Sequence, residues 1–175
     1  MDISVVIVNW NGGVHLKNCV ESVLNSVGEL VVEVVIVDNA STDESIEMVE
    51  PYISSDVRLI RSHENLGFAQ GNNLALPYCL GKYIFLLNSD ALIDEETLGS
   101  AMSLFELNDN VGIVTPAVLN SDGSYQHDLY LKDPSITFEL FYLANTRSLL
   151  KLSGYLSDTM DGSRVVAHAS GCALF

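Results

Sequence analysis

Short runs of apolar and β-branched residues alternate with segments of helical periodicity through the first 115 residues, and this alternation constrains the fold more than any other feature. Apolar runs of this kind are typical of strands buried in a sheet. Strands that alternate with helices indicate right-handed βαβ units. We therefore expect an α/β fold with a mostly parallel central sheet flanked by helices. The predicted strands span residues 3–8, 32–37, 57–61, 83–88 and 111–114.

The segments between these strands carry helix signals. Apolar residues between 14 and 27 fall on one helical face. Residues 41–44 (Ser-Thr-Asp-Glu) have the pattern of a capping box, which predicts a helix that continues to about residue 49. A short helix is expected to end near Leu80. Farther along, the sequence predicts a helix at 97–107, a turn at 120–123, a helix-like run at 136–152 and a late strand at 165–169.

Polar side chains follow three of the predicted strands at the point where each strand ends. The carboxyl ends of parallel strands meet at one edge of a sheet, and open α/β sheets bind ligands in the crevice there. We therefore expect these side chains to share a binding site. They are Asn9 and Asn11 after the first strand, Asp38 and Asn39 after the second, and Asn88, Ser89 and Asp90 after the fourth.

Two aspartates in this set have chemistry that suits a nucleotide. Asp38 can accept hydrogen bonds from a base N–H or a ribose hydroxyl, and Asp90 can hold a hard divalent cation that in turn holds a diphosphate. A local role is also open to each of them. Asp38 can cap the turn into Ser41, and Asp90 or Asp94 can cap the next helix. The residues by themselves leave both alternatives open.

The stretch from residue 65 to residue 73 has the composition of a backbone cradle. Gly67 and Gly71 permit close approach of a ligand, and the polar side chains around them can fix a ribose or phosphate. The two commonest nucleotide fingerprints, Gly-x-Gly-x-x-Gly and Gly-Lys-Ser/Thr, are absent from the sequence.

Composition restricts the partners of the chain. A net charge of −15 argues against binding to nucleic acid, because the phosphate backbone would be repelled. An anionic ligand must therefore be neutralised locally, by a metal ion or by backbone N–H groups. No apolar run approaches the length of about 18 residues that a membrane span needs. Three scattered cysteines suit a reducing cytosol, and we expect a cytoplasmic protein.

Four motifs stand in order along the chain and together resemble the inverting family 2 glycosyltransferases of the GT-A fold, in particular the rhamnosyltransferase-like branch. Residues 170–173 (Ser-Gly-Cys-Ala) are similar to the small-residue segment on the acceptor side of that family. The four motifs are Ser4-Val-Val-Ile-Val-Asn-Trp-Asn-Gly12, Val35-Val-Ile-Val-Asp-Asn-Ala-Ser-Thr-Asp43, Asn65-Leu-Gly-Phe-Ala69 with Asn73, and Phe85-Leu-Leu-Asn-Ser-Asp90.

The resemblance implies a nucleoside-diphosphate-sugar donor bound along the strand edge. Asp38 would contact the nucleobase or ribose, and Asp90 would coordinate Mg²⁺ or Mn²⁺ on the diphosphate. A catalytic carboxylate would deprotonate an acceptor hydroxyl on a glycan or a lipid-linked glycan. The remaining donor-binding residues implied by the resemblance are Asn9, Asn11, Asn65, Gly67, Asn73, Asn88 and Ser89.

The sequence departs from the family pattern at two points. Asn88 stands where the family has the first acid of an Asp-x-Asp motif. The general base of the family belongs to a Glu-Asp motif downstream of the segment at 170–173, so we expect that base beyond Phe175 and expect the chain to be truncated at its C-terminal end. Within one domain, residues 1–115 would be the nucleotide-sugar-binding half and residues 116–175 the start of the acceptor-side half.

Two other functions remain open at this point. One is a nucleotide-sugar-binding module without turnover, and the other is a nucleotidyltransferase, which the sequence favours less because no basic, glycine-rich loop follows the first strand. For a glycosyltransferase of this family, we expect the full-length protein to associate peripherally with the inner face of the membrane.

Overall fold

The computed structural model describes residues 1–107, 109–124, 129–130, 156–157 and 173–174. The predicted helix-like run at 136–152, the late strand at 165–169 and the residues at 170–172 lie outside these ranges. The chain forms two compact units. The first comprises Met1–Pro116 with Gly171–Phe175, and the second comprises Ala117–Ser170.

The described helices and strands agree with the predicted ones to within a few residues over the first 107 residues. Short 3-10 turns follow α2 and α3. No helix in the described ranges is long and apolar enough to cross a bilayer. The strands are β1 Ile3–Asn9, β2 Val32–Asp38, β3 Val57–Arg61, β4 Tyr83–Asn88, β5 Leu129–Tyr130, β6 Leu156–Ser157 and β7 Ala173–Leu174; the helices are α1 Val14–Asn25, α2 Ser45–Val49, α3 Gly67–Ala75 and α4 Thr97–Leu107.

The first unit is built on one sheet with the strand order β3-β2-β1-β4-β7. β3, β2, β1 and β4 are parallel, and β7 pairs with β4 in the antiparallel direction. Asn9 pairs with Asp38 across β1 and β2, and Val8 pairs with Asn88 across β1 and β4. The predicted α/β fold with a mostly parallel sheet and the shared edge of the three polar strand ends are confirmed.

The sheet has its core on both faces, because residues along each central strand alternate between them. On one face Ile3, Val5 and Ile7 of β1 belong to a buried cluster with residues of α1 and α4. On the other face Val6 packs in a second cluster that includes Ala75 of α3. Burial on both faces explains why β1 and β2 are apolar without the alternation of a half-exposed strand.

The predicted strand at 111–114 is wrong. The described chain is irregular there, and the place beside β4 is taken by β7. Val114 is buried, but Ile113 is 68% exposed, so the run supplies too little apolar contact to hold a strand against the sheet.

The second unit is described only in part: a turn forms where Gly123 N–H donates to the Asn120 carbonyl (2.9 Å), and β5 pairs with β6.

A buried polar cluster fixes the amino-terminal edge of the sheet. Glu33 of β2 is buried, and its Oε1 accepts hydrogen bonds from the Ser4 hydroxyl (2.6 Å) and from the Leu80 N–H. The Ser4 hydroxyl in turn accepts the Gly81 N–H at 2.8 Å. A buried carboxylate is tolerated only when its oxygens are hydrogen-bonded, so this cluster fixes the segment that leads into β4.

Substitution of Gly81 tests this close approach. A Cβ atom at Gly81 would lie 2.3 Å from the backbone nitrogen of Ser4 and 2.6 Å from the carbonyl carbon of Ile3, and backbone atoms of a central strand cannot move aside. We expect Gly81→Ala to lower the free energy of unfolding by about 1–3 kcal/mol, as measured by chemical denaturation.

Gly99 provides the matched control. It lies on the exposed surface of α4, and a Cβ there meets nothing within 4 Å. Alanine is the better helix former, so Gly99→Ala should raise the free energy of unfolding by up to about 1 kcal/mol. Equal stabilities of the two variants would show that the segment before β4 is not held closely against β1.

Candidate functional site

A cleft of about 480 Å³ lies at the carboxyl ends of β1 and β4. It belongs to the first unit and is formed by the strand ends, the start of α1 and the loop between β3 and α3. Its described lining residues are Val8, Trp10, Asn11, Gly12, His15, Asn39, Asn65, Gly67, Phe68, Asn88, Ser89 and Asp90.

The structure brings six of the nine predicted site residues to this cleft. Asn9, Asp38 and Asn73 do not line it: Asn9 and Asp38 are buried beside it, and Asn73 is exposed on α3. The ligand-binding roles of all nine stay predictions. The six residues in the lining are Asn11, Asn65, Gly67, Asn88, Ser89 and Asp90.

Asn9 braces the loop that follows β2. Its side chain is buried, and Nδ2 donates to the hydroxyl oxygens of Ser41 (3.0 Å) and Ser45 (2.9 Å). A Cβ atom at Gly12 would lie 2.3 Å from Asn9 Oδ1, so the chain turns tightly over this amide. Asn9 therefore holds the loop after β2 in place next to the cleft.

Three hydrogen bonds tie the loop after β1 to the loop after β2. The Asn11 N–H donates to the Ser41 hydroxyl (3.0 Å), and Asn11 Oδ1 accepts the Thr42 N–H (2.8 Å). The Gly13 N–H donates to the Asp43 carboxylate (2.9 Å). Asn11 has a φ of 53°, in the left-handed region that asparagine adopts more readily than most residues. These bonds set the shape of one wall of the cleft.

The predicted capping box is wrong. α2 begins at Ser45, and the side chain of its N-cap residue, Glu44, makes no capping hydrogen bond. The Ser41 hydroxyl, which would have capped the helix, instead accepts hydrogen bonds from Asn9 and Asn11. The Ser45 hydroxyl donates to Asp43 and holds the pKa of that carboxyl below its usual range. The sequence has the pattern of a capping box, but the Ser41 hydroxyl is bonded to residues about thirty positions away in the chain.

Asp38 has the local, turn-capping role, which was one of the two that the sequence left open. Its Oδ1 accepts the Ser41 N–H at 2.9 Å, which caps the turn after β2. The residue is 7% exposed, and its Oδ2 accepts no hydrogen bond from the described residues. One carboxylate oxygen thus holds the turn, and the second has no donor among the described residues.

Asn39 organises the loop between β3 and α3, a role that sequence reasoning did not assign. Its Nδ2 donates to Asn65 Oδ1 (2.9 Å) and to the Gly67 carbonyl (3.2 Å), and its Oδ1 accepts the Leu66 N–H (2.9 Å). The residue is buried, so these bonds are shielded from water. Its position directly after a central strand was the signal that could have revealed it.

The two aspartates after β4 have separate roles. Asp94 Oδ1 accepts the Glu96 N–H (3.2 Å) and the Thr97 hydroxyl (2.5 Å), and these bonds cap α4 and lower the pKa of Asp94. Asp90 is exposed, lines the cleft and accepts no hydrogen bond from the described residues. The helix-capping alternative therefore applies to Asp94 and not to Asp90.

The donor set around Asp90 fits a hard cation that also binds phosphate. Carboxylate, amide and hydroxyl oxygens from Asp90, Asn88 and Ser89 are oxygen ligands of the kind that Mg²⁺ and Mn²⁺ prefer. Among the described residues, no group of three or more His, Cys, Asp or Glu side chains could hold a metal by itself. A cation here would take further ligands from water or from a bound phosphate.

Six lining residues are outside the nine predicted site residues, among them Trp10, Phe68 and His15. Trp10 is 58% exposed and Phe68 is 48% exposed, so each offers an apolar ring face to a ligand. His15 lies in the first turn of α1. Exposed aromatic residues next to glycine-rich turns were the available signal for the first two.

Comparison with known families finds one domain model over most of the chain. The model for glycosyl transferase family 2 matches residues 4–169. Among curated proteins, the low-salt glycan biosynthesis hexosyltransferase Agl10 of Haloferax volcanii is 29% identical over 126 residues, which cover 70% of this chain and 38% of that protein.

Solved structures share the fold, which confirms the predicted GT-A type. The S. aureus TarS 1–349 structure in complex with UDP-GlcNAc has a TM-score of 0.65 at 22% identity, covering 76% of this chain and 39% of that one. The mannosyltransferase PcManGT of Pyrobaculum calidifontis, solved with GDP-Man and Mn²⁺, has a TM-score of 0.59 at 24% identity, covering 67% of this chain and 35% of that one. The chain spans less than half the length of each of these proteins.

Removal of the Asn39 side chain tests its role in the loop. Asn39→Ala would leave the Leu66 N–H without its acceptor and would remove the side-chain donor to Asn65 Oδ1 and the Gly67 carbonyl. We expect it to lower the free energy of unfolding by about 1–3 kcal/mol and to speed amide hydrogen exchange at Leu66 and Gly67.

Asn18→Ala is the control, since Asn18 is exposed on α1. It should change the free energy of unfolding by no more than about 0.5 kcal/mol and leave exchange in the loop unaltered. Unchanged exchange at Leu66 in Asn39→Ala would mean that α3 packing, rather than Asn39, orders the loop.

Proposed function

This chain belongs to glycosyl transferase family 2, and on that premise we propose that it binds a nucleoside-diphosphate sugar and transfers the sugar to an acceptor hydroxyl with inversion. We propose a glycan or lipid-linked acceptor and a hexosyl or rhamnosyl donor, used at the cytoplasmic side of a membrane in glycan synthesis. Agl10 is a hexosyltransferase of glycan biosynthesis by its name, which supports the class of reaction.

The observation that carries the proposal is the contrast between Asp90 and Asp94. Both follow β4, but Asp94 is occupied as a helix cap, whereas Asp90 presents an unshared carboxylate to the cleft. A carboxylate with no structural partner at the ligand-binding edge of a parallel sheet supports a role in ligand binding.

In this proposal the diphosphate lies near Asn88, Ser89 and Asp90. Asp90 would hold Mg²⁺ or Mn²⁺, which supplies a Lewis acid that neutralises the leaving nucleoside diphosphate. The presence of Mn²⁺ with GDP-Man in the PcManGT structure supports this cofactor class.

The nucleoside would lie toward β2 and the loop before α3. Asp38 Oδ2 would accept from the base or ribose, and Asn11, Asn65 and Gly67 would line the pocket. Asn9 would contribute indirectly, because its hydrogen bonds hold the loop after β2 in place. Asn73, which is exposed outside the cleft lining, would contact the donor only at its periphery.

Removal of Asp90 or of the cation tests the diphosphate site. We expect Asp90→Ala, or EDTA with the parent protein, to weaken binding of a nucleoside diphosphate by about 2–4 kcal/mol while weak binding of the bare nucleoside persists. Isothermal titration with the diphosphates and nucleosides of uridine, guanosine and thymidine measures both.

Asp94→Ala is the matched control, because it removes the same charge four residues away and outside the cleft lining. It should weaken the capping of α4 and leave nucleotide affinity unchanged. Full-strength diphosphate binding by Asp90→Ala in EDTA would count against the proposed site.

Asp38 is tested with two substitutions that separate its possible roles. Asp38→Asn keeps an oxygen to accept the Ser41 N–H but removes the charge, and Asp38→Ala removes both. We expect both variants to lose about 1–3 kcal/mol of nucleoside diphosphate affinity, and the alanine variant to lose more unfolding free energy. Parental affinity in both variants would return Asp38 to a purely structural role.

A further inference from the structure

The cleft contains few groups that could balance the charge of a diphosphate. Its described lining includes one carboxylate, Asp90, and no lysine or arginine. His15 is the described lining residue whose side chain can carry a positive charge. In a chain with a net charge of −15, this single position matters more than it would in a basic protein.

The lysines and arginines of the described ranges are engaged elsewhere in the fold. Each has a local partner outside the cleft, so none is positioned to take the place of His15. Lys17 pairs with Glu21 (3.6 Å), Arg61 pairs with Glu50 (3.4 Å), Arg58 donates to the Tyr78 carbonyl (3.2 Å), and Lys82 lies over the ring of Tyr83 (4.8 Å).

The position of His15 suits an anion. It lies in the first turn of α1, next to the tight turn at Gly12, and is exposed toward the cleft. That turn of the helix contains no acidic residue. The partial positive charge of the helix N-terminus and the ring N–H groups of His15 therefore act from the same wall. Asp43, a carboxylate on the neighbouring loop, is engaged by Gly13 and Ser45.

We propose that His15 donates a hydrogen bond to the diphosphate of the bound nucleotide sugar; this rests on the donor-binding function proposed above. When the bond between the anomeric carbon and the diphosphate oxygen breaks, the bonding pair stays on that oxygen. A ring N–H donor at His15 offsets part of the negative charge that results. His15 thus acts on the leaving group from the α1 side of the cleft, independently of Asp90.

The experiment compares three variants of the 175-residue protein by isothermal titration in Mn²⁺ buffer. His15→Gln replaces the imidazole with a neutral amide, His15→Lys supplies a cationic donor, and Lys17→Gln removes a charge from the same helix outside the cleft. The probes are the diphosphate, the monophosphate and the free nucleoside of whichever base binds the parent protein most tightly. The unfolding midpoint of each variant is measured without ligand.

We expect His15→Gln to weaken diphosphate binding by about five- to tenfold, to weaken monophosphate binding less and to leave nucleoside binding unchanged. His15→Lys should recover most of the diphosphate affinity, and Lys17→Gln should bind all three probes as the parent does, since its ion pair is exposed. Unfolding midpoints close to that of the parent support a contact with the ligand rather than a change in fold.

Other outcomes overturn the inference in distinguishable ways. Parental diphosphate affinity in His15→Gln, or equal losses in His15→Gln and Lys17→Gln, would remove His15 from the site and leave the proposed function standing. An equal loss for the nucleoside would place His15 at the base or ribose instead. Failure of the parent protein to bind any nucleoside diphosphate would overturn the proposed function and the role of His15 together.

Discussion

The parallel pairing of β1 with β2 and with β4 is the constraint on which the rest of the molecule depends. It sets Asn9 level with Asp38 and Val8 level with Asn88, so the polar residues that follow three strands meet at one edge. The register is strongly fixed, because a slip of one residue would exchange the two buried faces of a strand. The cleft is thus a geometric consequence of how the apolar side chains of the sheet pack.

The polar residues at this edge divide by their burial. Asn9 and Asn39 are buried and direct their amide groups to other loops, so they hold the walls of the cleft. Asp90 and Asn11 are exposed and face the space between those walls. A binding site of this kind needs both sorts of residue, because loops without internal hydrogen bonds would lose their shape when no ligand is bound.

The four parallel strands could be predicted from sequence to within one residue, because runs of buried apolar residues depend on local composition. The roles of the asparagines could not be predicted. Whether Asn9 faces a ligand or a loop depends on Ser41 and Ser45, which lie 32 and 36 residues away in the chain. The capping-box prediction failed for the same reason, because the residues that bond the Ser41 hydroxyl are also remote in sequence. The strand at 111–114 failed for a related reason, since β7 from the far end of the chain occupies its place.

Overall charge and local charge have separate consequences in this protein. A net charge of −15 repels anions at a distance, but screening limits that field to about 8 Å at physiological salt. Within the cleft, affinity for a phosphate depends on the few groups that line it and on how far they are desolvated. The described lining combines neutral amides, a helix start, one imidazole and one carboxylate. An acidic chain can therefore hold an anionic ligand, provided that its acidic side chains lie elsewhere or share a cation with that ligand.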